Sequence, residues 1–399
     1  MINYKDERIY IQRRLYAYHF INDGITFVLP VLIASLYFEF NLNWFQTGLI
    51  FAFNSLATII FQLIVGYYTD QNKCKYLMII GLCLLTLSSL LMIFSFNFVS
   101  LLVFATISGI ALAFQHSVSY ATTSRLYQEK TDIMVGRQGA AGDMGKCIAV
   151  FSSALILILF NSWKLVLLIW TLISFLIFII ITFNFRNIAF EEYFNQDDLY
   201  NINLNDRDNQ RPRKMIIILI FVIYVLTLAI YSLLIINLAV YLRVEKIGLV
   251  SEFSGLILGY TLIFGVIGAY FSGSMKKKFG MTNSLVIFGI LMIALLSIYI
   301  LLDTSDLIIN LIFYAMFGFF LFLMYPQLLA AINNCFHHKK IGFGYGIVLS
   351  FGWLGIFIGS LIGGYLANLF SAIMFFILSI FIFIVIVVLS LIIKISHEI

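Results

Sequence analysis

The sequence predicts an all-α membrane protein with twelve transmembrane helices in two pseudo-symmetric six-helix bundles. Its 399 residues are 62% hydrophobic and 11% charged, whereas soluble domains have about 45–50% apolar and about 25% charged residues. The apolar residues run in blocks long enough for helical spans instead of alternating as in a β-barrel. One long polar interval, from Arg186 to Lys214, divides the chain near its midpoint.

This polar interval predicts the domain organisation. Its charged side chains cannot pack into lipid or a dry core, so we expect a solvated linker at 186–214. The linker would join an N-terminal six-helix half at 1–185 to a C-terminal six-helix half at 215–399.

Apolar segments of about 20 residues give the individual spans. In the first half they lie at 15–38, 47–68, 76–95, 98–120, 137–160 and 163–184. In the second half they lie at 215–241, 253–273, 282–302, 307–332, 341–369 and 371–393. The charged stretch Met1–Arg14 lacks the small-residue site of a cleavable signal, so the first span is expected to be retained.

Lysine and arginine are divided unequally between alternate loops. Twenty lie on the side of the N-terminus and three on the other side (Lys164, Arg243 and Lys246), with Lys146 inside the fifth span. Because cytoplasmic loops are enriched in these residues, we expect a multi-pass plasma-membrane protein with both termini and the linker in the cytoplasm. The same bias explains the net charge of +5 without a nucleic-acid partner.

The two halves repeat each other at offsets of 207 to 210 residues. Gly66 corresponds to Gly273, Gly109 to Gly318, and the pair Gly142 and Gly145 to Gly352 and Gly355. Such parallel repeats are one known plan of membrane transporters. Small residues let helices approach closely, so we expect helix packing at Gly139, Gly142, Gly145, Gly352, Gly355, Gly359 and Gly363.

The loop after the second span reads GYYTDQNKCK at 66–75. It resembles the signature G-x-L-a-D-r-x-G-r-k of the major facilitator superfamily, in which Gly66, Asp70 and Lys75 match and Lys73 replaces the later glycine. The resemblance implies the major facilitator fold and transport of a small solute by alternating access. It also implies conformational gating by Gly66, Asp70, Lys73 and Lys75, although simple positive-inside topology is the alternative for these charges.

The first span contains HFINDG at 19–24, which is similar to the opening of the fosmidomycin-resistance-like group of efflux proteins. The fourth and fifth spans resemble that group through His116 and the glycines around Asp143. Ser117 replaces the group's proline, however, and the proline of the drug–proton antiporter signature is absent from the fifth span. The resemblance therefore implies transport, with efflux favoured and drug efflux less well supported.

His19, Asn22 and Asp23 lie at i, i+3 and i+4, so a helix points all three the same way. A charged side chain near the bilayer centre costs about 2.5–3.5 kcal/mol even on the gentlest insertion scale. Such a residue normally faces a wet cavity or a partner. We interpret Asp23 as a carboxylate that exchanges protons, with His19 beside it; a structural helix cap or hydrogen bond is the alternative.

Three further polar side chains lie inside the first-half spans. Asp143 and Lys146, at i and i+3, either neutralise each other structurally or belong to the site, where Lys146 would meet an anionic substrate or pair with Asp23. His116 is either a site residue or a histidine hydrogen-bonded to a neighbour.

The second half lacks a mid-span acid or base, so we expect titration only in the first half. Tyr325 and Gln327 flank Pro326 at the repeat position of His116. Pro326 can leave a carbonyl without its helical partner. We place Asn237, Tyr325, Gln327 and Trp353 as candidates for the substrate cavity.

These features predict a proton-coupled secondary transporter that exports a small solute, working as a monomer in the lipid bilayer with protons as the coupling ion. The alternatives are an uncoupled facilitator, proton-coupled uptake of a small organic anion or sugar, and a non-transporting receptor. A phosphate-binding G-x-x-x-x-G-K-[ST] loop is absent from the sequence, so ATP is not expected as the driver. Four scattered cysteines and the few histidines predict no cofactor, no metal site and no enzyme activity.

Overall fold

The computed structural model describes residues 4–71, 73–127, 130–185, 214–333 and 341–398. They form the helices α1 (Tyr4–Glu39), α2 (Trp44–Thr69), α3 (Cys74–Ile93), α4 (Phe98–Leu126), α5 (Thr131–Phe160), α6 (Trp163–Phe185), α7 (Lys214–Tyr231), α8 (Leu238–Glu245), α9 (Gly248–Glu252), α10 (Ser254–Phe279), α11 (Met281–Leu302), α12 (Leu307–Asn333), α13 (Ile341–Leu369) and α14 (Met374–Glu398). The linker, apart from Lys214, lies outside the described residues.

Twelve helical stretches in the described part of the chain are long and apolar enough to cross a membrane. They are α1 to α6, α7 with the turn that follows it, and α10 to α14. The predicted all-α fold with twelve spans is confirmed.

Several helices extend beyond the predicted spans at the face where α1 begins. For example, α4 continues to Leu126 and α5 already starts at Thr131. Hydropathy marks only the lipid-facing length, whereas buried polar contacts extend the helices past it. Gln12 Nε2 donates to Gln138 Oε1 at 3.3 Å, and Thr123 Oγ donates to Gln12 Oε1 at 3.2 Å. These bonds join the ends of α1, α4 and α5.

The seventh span is not the unbroken helix predicted for 215–241. A π-helical turn over Ser232–Ile236 separates α7 from α8. Asn237 Nδ2 donates to the Ser232 carbonyl at 2.8 Å, and the Ser232 and Ser360 hydroxyls lie 2.6 Å apart. A π-helical turn leaves backbone groups without their usual helical partners, and side chains such as that of Asn237 supply hydrogen bonds instead. The hydropathy of the span does not reveal this turn. Asn237 therefore stabilises this turn.

Helices α2 and α13 pack against each other from one face of the membrane to the other. A Cβ placed on Gly48 would collide with the Ser360 carbonyl, and one on Gly66 would lie 2.7 Å from the Gly342 carbonyl oxygen. Ser350 Oγ donates to the Ile59 carbonyl between these points at 3.3 Å. The two halves of the chain thus touch backbone to backbone here.

The internal repeat appears in the packing. Gly109 on α4 abuts the Asn54 carbonyl on α2, and Gly318 on α12 abuts the Thr261 carbonyl on α10. Gly359 abuts Ala229, and Gly363 abuts the side chains of Leu233 and Phe375. Gly139 is different, because a Cβ there would meet no atom within 4 Å.

Candidate functional site

Helices α1, α4 and α5 bring a cluster of five ionisable side chains together inside the first half: His19, Asp23, His116, Asp143 and Lys146. His19 Nε2 lies 3.4 Å from Asp23 Oδ2, and His116 Nε2 lies 3.8 Å from Asp23 Oδ1. Lys146 Nζ approaches Asp23 Oδ2 to 3.1 Å from α5. Asp23 exposes only 6% of its side chain, so its charge depends on these neighbours. Asn22 Nδ2 also donates to Asp23 Oδ1, at 3.2 Å.

Lys146 is shared between two carboxylates. Its Nζ donates to Asp143 Oδ1 at 2.9 Å while it also lies 3.1 Å from Asp23. Both arrangements considered from the sequence, pairing along α5 and pairing across to α1, are present together. In their ionised forms, Asp23 and Asp143 each contribute one negative charge and Lys146 contributes one positive charge. With both histidines neutral, the cluster has a net charge of −1.

Glycine at position 142 makes room for this cluster. A Cβ at Gly142 would lie 2.6 Å from His19 Nε2 and 2.7 Å from Asp23 Oδ2. One turn further along α5, Gly145 lies against the Phe20 carbonyl. The two glycines let α5 approach α1 closely enough for Lys146 to reach Asp23.

Tyrosines continue the site toward the second half. The Tyr120 ring lies 5.6 Å from the His19 ring and stacks on His116 at 5.9 Å, centroid to centroid. Its other neighbour is Tyr345 on α13, at 5.4 Å. Sequence reasoning missed both tyrosines; the one available signal was the i+4 spacing of Tyr120 from His116.

A cavity of about 50 Å³ lies between the halves, lined in part by Phe27, Asn54, Tyr231 and Trp353. This volume has room for a few water molecules. Trp353 was a sequence candidate for the cavity; Asn54 and Tyr231 were not. Asn54 also donates from Nδ2 to the Ala105 carbonyl at 2.8 Å, so the amide is held in place.

The other second-half candidates are placed differently. Gln327 Nε2 donates to the Leu323 carbonyl at 3.1 Å, beside the proline at position 326. Tyr325 stacks on Tyr224, with ring centroids 5.9 Å apart. Neither Tyr325 nor Gln327 lines the small cavity in this conformation.

Asp70 lies at the end of α2 and contacts the start of α13. Its Oδ1 accepts from the Gly342 backbone N–H at 2.9 Å and its Oδ2 from that of Phe343 at 2.8 Å. Arg125 Nη2 donates to the same carboxylate at 2.7 Å. Arg125 is one of the 20 lysines and arginines counted on the side of the N-terminus. A negative side chain is favourable at a helix N-terminus, where N–H groups lack helical partners.

The two lysines of this motif lie nearby. Lys73 Nζ lies 5.0 Å from the centroid of the Tyr68 ring. Lys75 is half-buried in the first turn of α3.

The cluster also contains atoms of the types that bind transition metals. One nitrogen each of His19 and His116 and an oxygen of Asp23 lie within 4.8 Å of one another. The Lys146 ammonium already contacts that carboxylate, so a metal ion would have to displace it. The geometry suits proton exchange and charge pairing better.

Comparison with known proteins agrees with this architecture. The chain is 25% identical over 140 residues to YfnC, an uncharacterised MFS-type transporter of Bacillus subtilis strain 168, covering 35% of this chain and 34% of YfnC. It is 28% identical over 137 residues to the fosmidomycin resistance protein of Escherichia coli K12, covering 34% of this chain and 32% of that protein. The matched part thus spans about a third of each relative's length.

Solved structures share the fold over most of the chain. The nucleoside transporter NupG superposes with a TM-score of 0.72 at 11% identity, covering 97% of this chain and 99% of NupG. An inward-facing bacterial homologue of the lysosomal transporter Spinster gives 0.71 at 14% identity, covering 92% and 84%. Residues 15–347 match the sequence profile of the Major Facilitator Superfamily. With twelve spans, a buried charged cluster between helices and this match, the chain belongs to the Major Facilitator Superfamily of solute transporters, which are not enzymes.

Proposed function

We propose that this transporter couples the export of a small organic solute to protons, and that it works in the plasma membrane with both termini in the cytoplasm. The observation that carries the proposal is the pairing of buried Asp23 with Lys146, His19 and His116. The sidedness rests on the 20 lysines and arginines on the side of the N-terminus.

The net charge of the cluster supplies the reason for proton coupling. A cluster of net charge −1 inside a membrane is unfavourable, and one bound proton makes it neutral. Asp23 can take that proton directly, or either histidine beside it can take it. Lys146 can then remain with Asp143, because that pair already exists at 2.9 Å. A proton on Asp23 itself releases Asp23 from its ion pair with Lys146, whereas a proton on either histidine gives the Asp23 carboxylate a second cationic partner.

Alternating access supplies the second half of the mechanism. A cavity of about 50 Å³ is too small for an organic solute. Binding therefore requires the two halves to move apart on one side at a time, around a site near the midplane. Opening at the face that holds Asp70 would break its contacts with Gly342 and Phe343. We assign the gating role to this group of contacts.

Export is favoured by the similarity to the fosmidomycin resistance protein. Since that match covers about a third of either chain, fosmidomycin is a first probe and not an assigned substrate. An uncoupled facilitator and proton-coupled uptake make different predictions, because only coupled export moves protons inward as solute leaves.

The test is transport by the purified protein in liposomes that contain a pH-sensitive dye. We would screen a solute panel, including fosmidomycin, for solute-dependent proton movement. Asp23→Asn should abolish gradient-driven accumulation while leaving exchange down a gradient intact. Asp306→Asn is the control, since Asp306 is exposed, lies outside the cluster and caps the start of α12 through an oxygen that asparagine also has. Normal proton-driven accumulation by Asp23→Asn would refute the proposed coupling.

A further inference from the structure

The second half places two tyrosines where the first half places two histidines. Tyr224 follows His19 by 205 residues, and Tyr325 follows His116 by 209. The offset of 209 also relates Gly109 to Gly318, which abut equivalent carbonyls. The histidine rings are 5.0 Å apart, and the tyrosine rings are 5.9 Å apart. The repeat has kept a pair of rings at this position and changed their chemistry.

Glycines place His19 and Tyr224 at equivalent positions of the two halves. Gly142 on α5 lies against His19, and Gly352 on α13 lies against Tyr224, where a Cβ would be 2.7 Å from the hydroxyl oxygen. These glycines are 210 residues apart. In each half, a glycine of the fifth helix of the repeat thus admits a ring from the first helix.

The charges of the cluster have no counterparts in the second half. At the same offsets, Asp23 corresponds to Leu228 and Lys146 to Ile356. Among the described residues of the second half's spans, acidic and basic side chains lie only at span ends. Recognition of a solute by this half must therefore come from rings, hydroxyls, amides and apolar groups.

The helix that carries Tyr224, α7, faces the charged cluster across the interface between the halves. Lys146 Nζ lies 5.7 Å from the centroid of the Phe27 ring, and this ring contacts α7. Tyr231, two turns after Tyr224 on α7, contacts the Phe27 ring at 6.3 Å and lines the cavity. One side of the site is thus charged and the other is aromatic.

We propose that Tyr224 and Tyr325 form the surface of the second half that binds a planar aromatic ring of the transported solute. This inference rests on the proposed function, because a solute reaches these rings only when the halves separate. The two tyrosine rings stack with an inclination of 24°, so once the halves separate the outer ring face of this stack offers an aromatic surface to the solute. Aromatic rings bind such surfaces by offset stacking and by burial of apolar area. The first-half cluster then carries the proton.

The test uses pairs of probes that differ by one ring. Binding of phenyltrimethylammonium and tetramethylammonium, and of benzoate and acetate, would be measured by calorimetry on the full-length protein in nanodiscs. The two pairs distinguish a cationic from an anionic ring-bearing solute. In one of the pairs, the aromatic member should bind roughly tenfold more tightly.

The variants separate the ring from the hydroxyl. Tyr224→Phe and Tyr325→Phe should keep the preference for the aromatic probe, whereas Tyr224→Leu and Tyr325→Leu should reduce it at least fivefold, by the same stacking estimate. Tyr270→Leu, at a side chain that is 82% exposed, is the control and should change nothing. Melting temperatures identify leucine variants that are misfolded. If a leucine variant is misfolded, the aromatic preference of the wild-type protein alone still tests the inference.

Two outcomes overturn the inference: a wild-type protein without an aromatic preference in either pair, or a preference that folded leucine variants retain. Proton-coupled transport without an aromatic preference would overturn this inference alone. An aromatic preference in a protein that moves solute without protons would leave the inference standing and overturn only the proposed coupling.

Discussion

Replacing Lys146 tests whether one ammonium neutralises two carboxylates. Lys146→Met removes a charge that lies 3.1 Å from Asp23 and 2.9 Å from Asp143. Removing one partner of a buried ion pair costs about 3–5 kcal/mol. Lys146 exposes 23% of its side chain and Asp143 28%, so water stabilises part of the charge that is left behind. We therefore expect the free energy of unfolding to fall by about 3 kcal/mol, the lower end of that range.

The neighbouring substitutions should cost different amounts. Asp143→Asn leaves Lys146 paired with Asp23, so it should cost about 1 kcal/mol or less. The double variant Asp143→Asn/Lys146→Met still leaves Asp23 buried without its ammonium, and its cost should lie between those of the two single variants. Adding Asp23→Asn removes the last charge and should recover most of the stability.

The measurement is reversible unfolding in mixed micelles, followed by circular dichroism, with transport assayed on the same preparations. A simple pair along α5 predicts that the double variant of Asp143 and Lys146 is as stable as the wild-type protein. That result would refute the shared-lysine arrangement, as would equal costs for Lys146→Met and Asp143→Asn.

Three further predictions concern packing, gating and topology. Gly142→Ala should lower the free energy of unfolding by about 1–3 kcal/mol, because its Cβ would lie 2.6 Å from His19 Nε2. Gly139→Ala meets no atom and should not lower it, since alanine favours a helix over glycine; chemical denaturation of both variants checks this. Asp70→Ala should speed thiol labelling of a cysteine introduced at Phe343 several-fold, since the carboxylate holds that backbone N–H; an unchanged rate would argue against the gate. Reporter fusions within 190–210 should report the cytoplasm, and an external signal would contradict the assigned sidedness.

Much of the fold could be predicted from composition, because lipid imposes length and apolarity on every span. The cost of burying charge also singled out Asp23, His116 and Lys146, which the structure brings together. Spacing along one helix could not show that Lys146 reaches two carboxylates, since that depends on how closely α5 approaches α1. Tyr120 was missed for a related reason, because tyrosines are also frequent at membrane interfaces.

The second half was harder to interpret because its polar groups serve several purposes. Asn237 has the residue type of a cavity ligand, yet its amide satisfies the Ser232 carbonyl at a π-helical turn. Gln327 likewise donates to the Leu323 carbonyl of its own helix. Only the three-dimensional course of the backbone shows that these side-chain amides bond to carbonyls of their own span and do not bind solute.

The π-helical turn also affects how the two halves can be aligned. Before it, Phe20 and Val225 occupy equivalent packing positions at an offset of 205 residues; after it, Asn54 and Thr261 do so at 207. A π turn holds about one residue more than an α turn, so one of the two additional residues lies inside the seventh span. An alignment of the halves that permits gaps only in loops therefore shifts α8 by one position, about 100° around the helix axis. Aligning the two halves of this chain therefore needs a gap within a membrane span.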